Sequence, residues 1–183
     1  MRSLLFLTLV CAAPVEATIL GGEIVRQTGS GQFVKLETGE RFAVGEDNFN
    51  TDHLYGFDED QNITLGAPIR VDIGGVEGMI AQGTVVASHY VFFDSINGLQ
   101  VGYVDFDAAI LGVAALPASM DATDFLANTN VDYISTDLRG LEQGDYAWID
   151  EDIPERLWVY WAGSSPGDYI RVFTARSAAA PMM

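Results

Sequence analysis

Asp58, Asp60 and Asn62 alternate along the string FDEDQN, and alternate oxygen-bearing side chains can converge on one hard cation such as calcium. A helix-loop-helix calcium loop would continue with glycine at its sixth position and glutamate at its twelfth, where this chain has Ile63 and Ile69. The string therefore reads first as a solvated acidic turn leading into a strand at Ile63. The alternative is a calcium site at a sandwich edge, completed by Asp52, Glu59 or a backbone carbonyl. Calcium is the one cofactor the residues suggest.

A second constellation is aromatic. Tyr146, Trp148, Trp158 and Tyr160, with Asp150 and Arg156 between them, could stack on sugar rings while the charged groups hydrogen-bond hydroxyls at the rim. The competing reading puts these rings in a core or against another chain. His89 reads either as a general base oriented by Asp94 or Asp105, or as a neutral core histidine. His53, beside Asp52, has no zinc spacing to it. Carboxylates at i and i+2, Asp105 with Asp107 and Asp150 with Asp152, resemble glycosidase pairs, but 26 acidic residues supply such pairs too freely to select one.

The elements that must position these groups are mostly strands. Period-two patterning gives candidates at 19–26, 32–36, 69–73, 84–93, 100–106, 110–116, 146–150, 157–161 and 169–175. Residues 119–128 suit a short helix covering one end of the sheets, and 45–61 reads as a long acidic loop. The sharpest expectation is a hairpin with its connection at 151–155. It sets Asp150 opposite Arg156, Trp148 opposite Trp158 and Tyr146 opposite Tyr160, and puts Ala147, Ile149, Leu157, Val159 and Trp161 on the other side. A slip of one residue would scatter both the aromatic ladder and the charge pair. Residues 164–168 (SSPGD) read as a tight turn. The expected fold is all-β, an antiparallel, jelly-roll-like sandwich with one short helix.

Composition sets the class. Acidic residues outnumber basic ones 26 to 9, a formal charge of −17, which opposes binding to nucleic acid or an anionic membrane surface. Hydrophobic residues make up 49% and aromatics 11%, enough for a packed core. Residues 1–17 read as an export signal: Arg2, an apolar run from Leu4 to Ala13, and Val15-Glu16-Ala17 before a cleavage point at Thr18. The lone cysteine, Cys11, lies in that run, so the processed chain would be held by its core alone. No later stretch is apolar enough to span a membrane. The expected organisation is a leader at 1–17, one β-sandwich domain at 18–176 and a short tail at 177–183.

Six strings, FDEDQNITL, GTVVASHYVFFD, VDFDAAILGV, DFLA, RGLE and SPGDYIRVFTA, together resemble secreted bacterial β-rich proteins of the PEP-CTERM or VPLPA-CTERM exoprotein type, over about 120 residues in consistent order. That resemblance implies an exported β-rich domain without an assigned activity. The tail SAAAPMM lacks the apolar helix and basic cluster of such sorting signals, which favours release into the periplasm or medium over anchoring. The reading at this level is an exported, non-catalytic structural or binding module whose partner is an extracellular polysaccharide or envelope component. A carbohydrate-binding module, calcium-assisted or not, is the first alternative, and a hydrolase with an acidic site is the second. The oligomeric state is not encoded in any pattern found.

Overall fold

The computed structural model describes residues 17–45, 47–95, 97–134, 136–164 and 167–176. The expected tail, the middle of the 164–168 turn and all of the leader except Ala17 lie outside them. The strands are β1 (Ile19–Gln27), β2 (Phe33–Lys35), β3 (Phe42–Val44), β4 (Leu54–Asp58), β5 (Ile63–Thr64), β6 (Ile69–Arg70), β7 (Ile73–Gly74) and β8 (Met79–Ile80). They continue with β9 (Val85–Phe93), β10 (Asn97–Phe106), β11 (Ile110–Ala114), helix α1 (Pro117–Ala122), β12 (Val131–Tyr133), β13 (Tyr146–Ile149), β14 (Arg156–Ser164) and β15 (Asp168–Ala175).

Two sheets face each other. The smaller has the order β1-β10-β14-β13; the larger runs β2-β4-β9-β15-β11-β7, with β5 also on β9. Alternation explains the division of labour. From the small sheet, Val104, Phe106, Leu157, Val159 and Trp161 point into the space between the layers, where they meet Leu54, Val91, Phe93, Val113, Ile170 and Val172 of the large one. The other side of the large sheet carries Tyr55, Phe57, Tyr90, Phe92 and Phe173. These are buried in a second core with Met120, Leu126, Val131 and Val44. With both faces covered, β9 is an almost unbroken apolar run rather than a clean alternation.

The all-β sandwich class holds, and four details differ from expectation. Residues 45–61 contain β4, which pairs with β9 near the middle of the large sheet. Gly56 hides this strand from pattern reading, yet a Cβ there would come 2.9 Å from Ile19 Cδ1 of the facing layer. The 69–73 strand divides into β6 and β7, which pair with different partners. The helix shortens to α1 plus a 3₁₀ turn at Asp124–Leu126, and it covers the outer face of the large sheet because Met120 and Leu126 belong to that second core. Finally, β2–β4 and β3–β12 pair in parallel.

Candidate functional site

The hairpin forms in the expected register, with Tyr146 opposite Tyr160, Ala147 opposite Val159, Trp148 opposite Trp158 and Ile149 opposite Leu157. Because Leu157, Val159 and Trp161 fill the core, the aromatic residues must point outward. Tyr146 is 61% and Trp148 42% exposed. The two indoles are parallel, 7° apart with centroids at 5.9 Å, and Tyr146 meets Tyr160 edge-on at 5.9 Å. Tyr103 of β10, which lies opposite Trp158, extends the row at 5.1 Å. Sequence reading missed Tyr103; its inclusion depends on the pairing of β10 with β14, which no local pattern reveals.

Charged neighbours fix these rings in place. Arg156 donates two hydrogen bonds to Asp105, at 2.7 and 2.8 Å, and its guanidinium lies 3.8 Å from the centroid of the Tyr103 ring. The expected Asp150–Arg156 side-chain pair is thereby corrected, since Asp105 is the direct cross-strand partner of Arg156. The Asp150 carboxylate turns back on its own loop, accepting the N–H groups of Asp152 and Ile153 at 2.9 and 3.0 Å, and takes the Trp158 indole N–H at 2.7 Å. Those bonds, that of Trp158 foremost, hold Asp150 below the ordinary carboxylate range. Tyr103 donates its hydroxyl to Glu23 at 2.8 Å. Asp150 and Arg156 therefore orient rings as well as bordering them.

Asp58 has a different setting from the one its spacing suggests. Both its oxygens are taken: Oδ1 by the Ile19 N–H at 3.0 Å and His89 Nδ1 at 2.8 Å, Oδ2 by Lys35 at 2.7 Å and the Thr18 hydroxyl at 2.7 Å. Burial opposes its charge, but His89, Lys35 and Thr18 outweigh that and hold it well below the usual carboxylate range. Asp58 is thus committed to protein donors rather than left open for a cation. Among the described residues no group of three or more His, Cys, Asp or Glu side chains is disposed to hold a metal ion.

His89 faces inward as its strand position predicts and is fully buried. Its Nδ1–H donates to the Asp58 carboxylate, which can only accept, and its Nε2 is hydrogen-bonded to Thr174 Oγ1 at 3.0 Å. Its carboxylate partner is thus Asp58, in place of the expected Asp94 or Asp105. Of the i, i+2 carboxylates, Asp105 is tied to Arg156 and Asp107 to the Thr18 N–H.

Beneath the cap, a set of charges whose pairing sequence reading did not foresee runs from a buried ion pair out to half-exposed carboxylates. Arg171 and Glu59, both side chains fully buried, join at 2.6 and 3.0 Å. Ser88 donates to Glu59 at 2.6 Å, Arg171 also reaches Asp124 at 3.0 Å, and Arg139 holds Asp124 at 2.7 and 2.9 Å and Asp121 at 2.6 Å. At the start of β15, Asp168 is buried against Asp145. Burial first, then the Asp145 charge, pushes its carboxyl up to about 9, so it keeps its proton at neutral pH. Nothing in the spacing announces these partners, since Glu59 and Arg171 lie 112 positions apart.

Among the described residues no helix is long and apolar enough to cross a membrane. Set against protein-family models, curated proteins and solved structures, the chain matches none.

Proposed function

We propose that this chain is an exported, non-catalytic carbohydrate-binding module, its leader removed before Thr18, and that the row Tyr103, Trp148, Trp158, Tyr146 and Tyr160 takes an extracellular polysaccharide. One observation carries the reading: Tyr146 and Trp148 lie open to solvent on a sheet whose opposite face is fully packed. Large rings left outside a core are the informative case, because burying them would have been favourable. Trp158 is held by Asp150 and Tyr103 by Glu23, and the open rings pack on held or facing neighbours, Trp148 parallel to Trp158 and Tyr146 edge-on to Tyr160, which limits the side-chain freedom lost when a sugar stacks.

The formal charge of −17 selects among polysaccharides. It repels uronate or sulfate polymers and favours neutral or amino-sugar chains. Retention in native gels cast with soluble polysaccharides tests the reading. Neutral glucans or mannans, or a chitosan, should retard the protein, and Trp148→Ala should weaken retention about tenfold, equivalent to ~1.4 kcal/mol. Equal mobility of the native protein and Trp148→Ala across neutral, cationic and anionic polymers would remove it.

A further inference from the structure

Thr18 is gripped on every polar atom it has. Its N–H donates to Asp107 Oδ1 at 2.9 Å, and its carbonyl accepts the Asp107 N–H at 3.1 Å. Its hydroxyl donates to Asp58 at 2.7 Å and accepts from Lys35, the only lysine in the chain. The next residue repeats the pattern: the Ile19 N–H goes to Asp58 at 3.0 Å, and its carbonyl takes Lys35 at 3.0 Å. An ordinary first residue of an edge strand needs one or two ladder bonds; this one has a built receptacle.

The charges of that receptacle do not balance around an amide. Two carboxylates, Asp58 and Asp107, converge on residue 18, and among the described residues the one permanent cation beside them is Lys35, which is spent on Asp58. An α-ammonium at Thr18 would place a positive charge and three donors where the chain offers Asp107 a single neutral N–H. Ala17, on the other side of that peptide bond, is 1% exposed, so the bond is accessible before folding rather than after it.

We infer that the fold contains a receiving site for the processed amino terminus: cleavage between Ala17 and Thr18 creates an α-ammonium that pairs with Asp107 and completes the Asp58–Lys35–His89 cluster. This rests on reading residues 1–17 as a leader. Cleavage then does more than release the chain. It supplies the last charge of a network joining β1, β2, β4 and β9, so the processed form is the more stable one.

The test compares two exported proteins, the natural one and one with Gly-Ser inserted between Ala17 and Thr18, each with and without Asp107→Asn. Intact mass reports where each begins, and thermal unfolding reports its stability. The natural protein should begin at Thr18 and melt about 3 °C or more above the inserted form, and Asp107→Asn should abolish that difference. A start at another residue overturns both the leader reading and the receiving site. A start at Thr18 with equal melting of natural and inserted forms overturns the receiving site and leaves the leader reading standing. A difference that persists in Asp107→Asn also overturns the assignment to Asp107.

Discussion

The two outer faces of the sandwich use the same residue types for opposite ends. On the large sheet, Tyr55, Phe57, Tyr90, Phe92 and Tyr169 lie under α1, the following 3₁₀ turn and β12, and Arg171, Arg139 and Glu59 are sealed in with them. On the small sheet, Tyr103, Tyr146, Trp148, Trp158 and Tyr160 stand without a cover, with Arg156 and Asp105 at the surface among them. Among the described residues the chain therefore roofs one aromatic sheet face and leaves the other open. The uncovered face is the one proposed to take a polysaccharide.

The contrast can be broken most forcefully on the covered side. Arg171→Met leaves Glu59 buried without its cation, and a loss of about 3–5 kcal/mol is expected in denaturant unfolding. The matching change on the open side, Arg156→Met, leaves Asp105 able to reach water, so it should cost about 1 kcal/mol or less. Similar costs for the two would mean that the faces are not as different as they look.

Titration should separate the regions next. Asp58 and Asp124 sit below the ordinary carboxylate range in the fold, in each case because cationic hydrogen-bond partners outweigh burial. Their contribution is present above about pH 4 and lost as pH falls. Asp168 has the opposite sign. Raised to about 9, its contribution is complete below about pH 4 and lost as pH rises towards 9. Stability should therefore peak in mildly acid solution. Asp168→Asn should flatten the decline between pH 5 and 9, measured as melting temperature against pH, whereas a profile unchanged by that substitution would contradict the assignment.

Gly140 probes how the cap is seated. It has φ +106°, and a Cβ there would come 2.9 Å from Pro117 Cδ at the start of α1. Gly140→Ala should cost about 1–3 kcal/mol, through backbone strain and through displacement of Arg139 from Asp121 and Asp124. The smallest stability effect belongs to the open face. Trp148→Ala on the edge strand should change unfolding free energy by about 1 kcal/mol or less while weakening polysaccharide retention about tenfold, a separation of binding from stability that no covered aromatic would show.

The hairpin was legible in the sequence because its evidence is local: two strands, five connecting residues, and side chains that match in only one register. His89 facing the core was legible for the same reason, from the alternation of Val85, Ala87, Val91 and Phe93. The partners of His89, and the buried set of Glu59, Arg139 and Arg171, were not, since each pair joins residues far apart along the chain and a lone arginine in a strand looks the same whether it meets water or a carboxylate. Strand β4 escaped because Gly56 interrupts its pattern.

The chain has three tryptophans, Trp148 and Trp158 on the open face and Trp161 fully buried behind it. Acrylamide quenching of their fluorescence, with and without a neutral or amino-sugar oligosaccharide, addresses the open face directly. The account predicts that saccharide protects the quenchable fraction and that Trp148→Phe with Trp158→Phe abolishes the response. Quenching unchanged by every neutral and amino-sugar oligosaccharide, or protection that survives the double substitution, would contradict it.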